Sequence, residues 1–244
     1  MKSKNVLYKR FGERAILVEW KKEIDRGIIG EIINFKEKIE KNGIKQIVDL
    51  KISFNSLLVV YEHKIKNYKD ELAHIDKIYN EKYKSIKSRR YLWKIPVCYE
   101  SEYAPDLNAF SEIKKMNSED VVKLHTAHSY LVYFIGFLPG FLYLGGLDDR
   151  LHLPRKASPE LNVPKGAVAI GGNQTGVYPN ESPGGWHVIG NTPMTFFDVN
   201  KDEPCFAKPG DEVAFYEINK KKYDDIKKLV DHGVYEIERE VIRD

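Results

Sequence analysis

The spacing of apolar residues over the first hundred positions alternates between strand and helix periods. Short apolar runs at 15–20, 44–50, 56–61 and 91–99 predict strands. A first helix is predicted by apolar residues three or four positions apart: Ile24, Ile28, Ile32, Phe35 and Ile39. Asn42 and Gly43 should end that helix, because glycine readily adopts the left-handed backbone that follows many helices. A second helix is predicted by an apolar face formed by Tyr68, Leu72, Ile75 and Tyr79.

The resulting order, βαββαβ, is typical of the ferredoxin-like fold, in which two helices pack on one face of an antiparallel sheet. Residues 1–90 are therefore predicted to form a ferredoxin-like α/β domain. A basic stretch at 82–90 closes this part of the chain, and a solvated linker explains its charges.

Turn-forming residues dominate the rest of the chain. All 11 prolines lie at or after Pro96, and 12 of the 17 glycines lie between Gly136 and Gly210. From Tyr130 onward, short apolar runs are separated by turn residues, a pattern typical of a small β-barrel or sandwich. Residues 91–244 are therefore predicted to form a second domain built mainly of strands, and the whole chain is predicted to be α+β.

Helices are expected at two places in this second domain. Ser118 is the predicted N-cap of one helix, whose first turn carries Glu119 and Asp120, where carboxylates interact well with the helix dipole. A polar helix is predicted at 220–231, and a final strand at 234–241.

Composition excludes several classes of protein. The net charge of +3, from 39 basic and 36 acidic residues, provides no broad basic surface for nucleic acid. No secretory signal is visible at the start, and the longest apolar runs fall far short of the roughly 20 residues that span a bilayer. Cys98 and Cys205 do not make a disulfide framework, so we expect a cytoplasmic protein without membrane partners.

Four segments of the second domain carry candidate chemistry. The first, GFLPGF at 136–141, is followed by Tyr143 and places Phe137, Pro139 and Phe141 in a rigid aromatic loop. Its glycines permit backbone shapes that other residues avoid. The loop is either a barrel corner packed by aromatic rings or the wall of a ligand site, and spacing alone leaves both open.

The second and third segments suggest anion binding. Arg155 follows Pro154, and its guanidinium suits bidentate contact with a carboxylate or phosphate, although a surface ion pair has the same signature. The third segment, GGNQTGVYP at 171–179, contains Gln174 and Tyr178. Its glycines either bring backbone N–H groups toward an oxyanion or form a plain hairpin turn. It is not a P-loop, because GxxxxGK[ST] occurs nowhere in the chain.

The fourth segment, SPGGW at 182–186, sets Ser182, Gly184 and Gly185 beside Trp186. The small residues leave room for a ligand against the indole face. A tryptophan that merely fills the core produces the same pattern.

His125 and His128 share one predicted helix at a spacing of three, which can place both on one face. Without nearby cysteine or carboxylate ligands they do not predict a metal site, and no metal is expected. His125 is instead either a polar group facing a pocket or a hydrogen-bonded structural histidine.

As an ordered set, these segments resemble the family that contains the B subunit of bacterial 5-oxoprolinase, the Kip-type inhibitors of a sporulation histidine kinase, and the allophanate hydrolase subunit 1 domain of urea carboxylases. The likeness is strong over about residues 91–216. It is carried by Leu124, His125, Thr126, Tyr133, GFLPGF at 136–141, Tyr143, Leu144, Pro154, Arg155, Val163, Pro164, Gly166, QTG at 174–176, Tyr178, Pro179, SPGGW at 182–186, Ile189, Gly190, Thr192 and Pro193.

The resemblance implies a cyclophilin-like β-barrel for the second domain and an α/β first domain. It also implies one component of an ATP-dependent 5-oxoprolinase, which opens the lactam of 5-oxoproline to glutamate together with its partners, the C and A subunits. An unstrained amide is a poor electrophile, and phosphorylation of its oxygen lets water attack. Such chemistry calls for cationic and N–H donors around the phosphoryl charge.

On this interpretation the catalytic candidates are His125, Arg155 and Gln174. The substrate-binding candidates are Phe137, Pro139, Phe141, Tyr143, Tyr178, Ser182, Gly184, Gly185 and Trp186. Two positions depart from the family pattern: Glu160 stands where arginine is usual, and Asn191 where arginine or glutamine is frequent. Two other functions share the motifs and stay open: a Kip-type inhibitor that binds a histidine kinase, and a carboxyltransferase domain that acts on a biotinylated partner.

Overall fold

The computed structural model describes residues 6–23, 25–82 and 89–242. Ile24 of the predicted first helix and positions 83–88 of the basic stretch therefore lie outside the described residues. Contacts divide the chain into two compact units, Met1–Ser88 and Arg89–Asp244. Within the described ranges, no helix has both the length and the apolar character to cross a bilayer.

The first unit contains four antiparallel strands and two helices. In chain order they are β1 (Leu7–Phe11), β2 (Ala15–Glu19), α1 (Arg26–Asn42), β3 (Ile47–Ile52), β4 (Ser56–Tyr61) and α2 (Tyr68–Asn80). Helix α1 begins at Asp25, whose side chain accepts hydrogen bonds from the N–H groups of Gly27 and Ile28. It ends before Gly43, which has the predicted left-handed backbone with φ of 60°. Its buried face is formed by Ile29, Ile32, Phe35 and Ile39.

The strand order of the first unit differs from the predicted one. The strands lie in the order β1-β2-β4-β3, and β1 occupies the edge beside β2, with Leu7 opposite Glu19 and Phe11 opposite Ala15. The βαββαβ prediction reserved a place in this sheet for the strand at 91–99. That strand instead belongs to the sheet of the second unit, so the ferredoxin-like order predicted for the first part is wrong in its last strand. Apolar spacing identifies a strand but not its partner, because pairing joins distant segments.

The second unit is a closed barrel with helices around it, which confirms the α+β class. Its elements are β5 (Arg90–Cys98), α3 (Leu107–Lys114), α4 (Ser118–Thr126), β6 (Ser129–Ile135), β7 (Leu142–Gly145), β8 (Glu160–Val163), β9 (Ala167–Gly171), β10 (Gln174–Val177), β11 (Ser182–Gly184), β12 (His187–Asn191), β13 (Glu212–Ile218), α5 (Lys220–Asp231) and β14 (Arg239–Ile242).

Seven strands close the barrel in the order β12-β9-β10-β7-β6-β13-β5, with the last pairing back to β12. Strand β5 pairs with β13 in parallel. It also pairs with β14 near its start and with β12 near its end, where Cys98 lies opposite Asn191. Strand β14, at Arg239–Ile242, is shorter than the final strand predicted at 234–241. Helix α4 is capped by Asn117, which accepts a hydrogen bond from Asp120 N–H, so Ser118 is the first helical residue and not the cap.

One wall of the barrel is buried on both faces. Inside, the main core includes Val168 and Ile170 of β9 and Val177 of β10. On the outer face, Ala167 and Ala169 belong to a separate cluster. Because side chains alternate between the faces of a strand, the continuous apolar run of β9 fills both clusters.

Candidate functional site

The outer cluster brings together most of the aromatic residues that the sequence singles out. We call the set Phe137, Phe141, Tyr143, Tyr178 and Trp186 the aromatic cluster. The ring of Phe141 lies at its centre: its centroid is 5.6 Å from that of Phe137, 4.9 Å from Tyr143, 5.4 Å from Tyr178 and 5.6 Å from Trp186. Three of the four predicted segments therefore meet at one place on the barrel wall.

Glycines let these rings approach the backbone closely. A Cβ atom added at Gly171 would lie 2.5 Å from the indole of Trp186, and one added at Gly184 would overlap the Tyr178 hydroxyl. At Gly176 the added atom would lie 3.1 Å from Trp186 and 3.2 Å from Phe141. The glycine-rich segments thus act mainly as seats for aromatic rings, a role that turn chemistry alone does not reveal.

Arg155 supplies the positive charge of this site. Its guanidinium carbon lies 5.7 Å from the ring centre of Trp186, within cation–π range, and the side chain is exposed. Burial raises the pKa of Tyr143, and the nearby Arg155 charge partly offsets the rise. Burial also raises the pKa of Tyr178, against a hydrogen bond from the Trp186 backbone and the charge of Arg155. Both phenols are protonated at neutral pH, beside a guanidinium that can bind a carboxylate or phosphate.

Backbone contacts on both sides of Arg155 hold its position. The carbonyl of Pro154 accepts a hydrogen bond from His187 Nε2 at 2.9 Å. The N–H of Lys156 donates to the carbonyl of Gly185 at 2.7 Å. The segment that presents the guanidinium is therefore held on one side of the arginine by His187, directly after the SPGGW segment, and on the other by Gly185 within it.

A half-buried ion pair between Lys156 and Asp106 strengthens this arrangement. The ammonium of Lys156 lies 2.8 Å from a carboxylate oxygen of Asp106 and 3.2 Å from one of Glu160. Burial alone would lower the pKa of Lys156, but these two contacts outweigh it and raise that pKa. Asp106 also accepts a hydrogen bond from Val188 N–H at 2.7 Å. Sequence reasoning missed Asp106 and Lys156, because they are 50 positions apart and neither carries a local signal.

Gln174 lies beneath the aromatic cluster. It is buried and shares a face of β10 with Gly176, the glycine that contacts Trp186 and Phe141. Ser182 is buried on β11 opposite Val163, and its hydroxyl donates to the carbonyl of the next residue, Pro183, at 3.3 Å. Both positions thus border the site without reaching its exposed edge.

Phe137 has a backbone conformation that is rare for its residue type. Its φ is 68°, in the left-handed region, and its side chain is 64% exposed. Left-handed conformations of non-glycine residues cost energy and occur often at functional sites. Pro139, two positions further on, is exposed and lines a cavity that Phe206 and Arg239 also border.

His125 lies inside the barrel. It is 0% exposed and stacks on Phe215 with ring centroids 4.9 Å apart. Its Nδ1 is 2.8 Å from the Tyr99 hydroxyl and its Nε2 is 2.8 Å from the Thr175 hydroxyl. Thr175 and Gln174 are adjacent on β10 and face opposite sides of it, so one strand separates His125 from the aromatic cluster.

The hydrogen bonds assign a protonation state to His125. Thr175 donates its hydroxyl proton to the carbonyl of Ala169 at 3.1 Å, so Nε2 must carry the proton that it shares with Thr175. Nδ1 then accepts from Tyr99. Burial lowers the pKa of His125 from 6.5 to about 3. The imidazole is thus neutral and enclosed, which favours the structural alternative among the two that the sequence left open.

The two departures from the family pattern have local explanations. Asn191 is buried, donates from its amide to the carbonyl of Lys165 at 3.0 Å and accepts from the Tyr223 hydroxyl at 2.8 Å. Glu160 pairs with Lys156. Neither departure removes the contact between Arg155 and the ring of Trp186.

Comparison with known proteins identifies relatives over most of the chain. Residues 6–207 match the family model described as carboxyltransferase domain, subdomain C and D. The chain is 34% identical over 224 residues to the B subunit of 5-oxoprolinase from Bacillus subtilis, covering 88% of this chain and 93% of that protein. It is 35% identical over 204 residues to the B subunit of 5-oxoprolinase from Escherichia coli O157:H7, covering 84% and 92%.

A solved structure shares the fold. The Kluyveromyces lactis urea carboxylase superposes with a TM-score of 0.81 at 23% identity, over 97% of this chain and 24% of that chain. These matches confirm the family resemblance that the ordered motifs predicted.

Proposed function

The chain belongs to the family of the carboxyltransferase domain, subdomains C and D, and on that basis we propose that it is the B subunit of an ATP-dependent 5-oxoprolinase. In this proposal it opens 5-oxoproline to glutamate together with its partners, the C and A subunits, in the cytoplasm. Relatives named as the B subunit of 5-oxoprolinase, at 34% and 35% identity over most of their length, support the assignment. We also propose that its closed barrel is of the cyclophilin-like type.

The observation that carries the proposal is the exposed guanidinium of Arg155 over Trp186 at the edge of the aromatic cluster. 5-Oxoproline is a small, flat ring that bears one carboxylate. Its ring suits the exposed ring of Phe137 and the half-buried ring of Tyr143, and its carboxylate suits a bidentate arginine.

The same residues fit the lactam better than a triphosphate. Arg155 is exposed, but the neighbouring cation of Lys156 already contacts the carboxylates of Asp106 and Glu160. Binding a polyphosphate at this place would require more uncommitted positive charge. We therefore assign 5-oxoproline to the aromatic cluster and ATP to the assembled complex. ATP hydrolysis there supplies the driving force for adding water across the amide bond.

The test is reconstitution with the partner subunits and measurement of glutamate release from 5-oxoproline with ATP. Arg155→Gln should raise KM by about tenfold or more, because a charge-assisted contact to the carboxylate is lost. The matched control is Arg150→Gln, since Arg150 is also exposed but pairs with Asp148 at 2.7 Å. Equal activity of the two variants, or no glutamate release from a correctly assembled complex, would contradict the proposal.

A second candidate is a carboxyltransferase reaction on a biotinylated partner, which the description of the matching family favours. It predicts that activity requires a biotin-carrying protein and bicarbonate. Glutamate release that proceeds with avidin present argues for 5-oxoprolinase, whereas complete inhibition by avidin argues for the carboxyltransferase.

A further inference from the structure

A cavity of about 820 Å³ lies in the Arg89–Asp244 unit. The loop at 136–141 contributes Pro139 and Gly140 to its lining, whereas Phe137 and Phe141 of the same loop belong to the aromatic cluster. Its volume falls within the range of roughly 300–1,000 Å³ that small-molecule sites occupy. We call it the Arg239 cavity.

Arg239 of β14 lies over the aromatic floor of this cavity. Its guanidinium carbon is 4.6 Å from the ring centre of Tyr91 and 5.4 Å from that of Trp93. Phe206 extends the floor, with its ring centroid 5.0 Å from that of Trp93. An arginine stacked in this way keeps its N–H edge available for a planar anion.

Strand alternation separates Arg239 from the carboxylates beside it in the chain. Arg239 lies opposite Trp93 in the β14–β5 pair. Glu238 and Glu240 face the other side of the sheet, where Lys94 contacts them at 2.5 and 2.7 Å. In the part of the chain that the structure describes, no carboxylate forms an ion pair with Arg239.

Asp211 makes the floor rigid. Its carboxylate is 1% exposed and accepts hydrogen bonds from Tyr91 N–H at 2.9 Å, Trp93 Nε1 at 3.0 Å and Lys208 N–H at 3.1 Å. Three donors satisfy this buried charge, so it holds both aromatic residues and does not need the guanidinium of Arg239. A built aromatic platform with a stacked cation is the arrangement that recognises a flat, anionic molecule.

We propose that the Arg239 cavity is a ligand site for a small molecule that carries a carboxylate or phosphate next to a flat ring. The ring lies against the half-buried side chain of Phe206, and the anion accepts hydrogen bonds from Arg239. The family match ends at residue 207, so Arg239 lies outside the matched domain. The site is separate from the aromatic cluster, and the inference does not depend on 5-oxoprolinase activity.

Calorimetric titration of the full chain tests the site with four probes: AMP, with a ring and a phosphate; nicotinate, with a ring and a carboxylate; adenosine, with a ring only; and inorganic phosphate, with an anion only. We expect AMP or nicotinate to bind at least about tenfold more tightly than the last two, because ring and anion contacts add. Arg239→Gln should weaken that binding by about tenfold or more. AMP alone or nicotinate alone identifies the anion as phosphate or carboxylate.

The matched control is Arg150→Gln, which removes an exposed arginine that pairs with Asp148 at 2.7 Å and has no part in either site. It should leave probe binding unchanged. If Arg239→Gln lowers the melting temperature, Arg239→Lys keeps the charge while losing the planar fork, and it should still weaken binding. The proposal would be overturned if neither AMP nor nicotinate binds, if the Arg239 variants bind the probes as tightly as the wild type, or if Arg150→Gln weakens binding as much as Arg239→Gln.

Discussion

The depressed pKa of His125 predicts how the stability of the second unit depends on pH. In the unfolded chain the imidazole takes up a proton near its ordinary pKa of 6.5, whereas burial lowers its pKa in the folded protein to about 3. Between these two values the unfolded state binds more protons than the folded state. The stability contributed by the neutral His125 is therefore complete above pH 6.5 and is lost progressively as the pH falls toward 3.

The magnitude follows from the shift. Each pH unit below the unfolded pKa costs about 1.4 kcal/mol, so the contribution of His125 falls by about 2 kcal/mol between pH 7 and pH 5. Glutamine at this position does not titrate. The difference in unfolding free energy between wild type and His125→Gln should consequently shrink by about 2 kcal/mol over that interval.

Urea denaturation at pH 7, 6 and 5 measures this difference, with both proteins in the same buffers. His128→Gln is the control, because it replaces an exposed histidine three positions away. Its pH-dependent change should be much smaller than that of His125→Gln. A difference between wild type and His125→Gln that stays constant with pH would refute the reasoning. It would mean that His125 keeps its ordinary pKa in the folded protein and is not held neutral by burial.

Three further predictions test the packing of the site by thermal or urea unfolding. Trp186→Ala should cost about 3–5 kcal/mol, since it empties a buried position; a loss below 1 kcal/mol would contradict its burial. Gly184→Ala should cost about 1–3 kcal/mol, because its Cβ would overlap Tyr178. Its control, Gly30→Ala, has open space on α1 and should stabilise the protein by about 0.5–1 kcal/mol. Equal effects of the two variants would refute the close approach of Tyr178 to Gly184. Phe137→Gly should be about 1 kcal/mol more stable than Phe137→Ala, because only glycine relieves the left-handed backbone; the reverse order would exclude strain there.

Local pattern predicted the elements better than their partners. Helix α1 ends at Gly43 as expected, and α5 covers Lys220–Asp231 as the polar run at 220–231 indicated. The strand at 91–99 exists, but it pairs with β13 in the barrel and not with the first sheet. Spacing along the chain reports which residues share a face, while strand pairing depends on residues more than one hundred positions away.

The candidate site was likewise predicted only in part. The sequence singled out the aromatic residues, the glycines and Arg155, and the ordered motifs were sufficient to predict the family. It could not separate His125 from Arg155, because only the packing of distant segments places His125 of α4 in the core and leaves Arg155, before β8, exposed.

Local sequence was sufficient to predict most elements, the family and the residue types available for chemistry. These properties depend on nearby residues in the chain and on the order of the motifs. The tertiary structure alone decided which residues act together. It joined Lys156 to Asp106 beneath Arg155 and enclosed His125 between Tyr99 and Thr175. Burial, charge pairing and cavity shape arise only when distant segments pack against one another. No local pattern encodes the distances between the side chains of such segments.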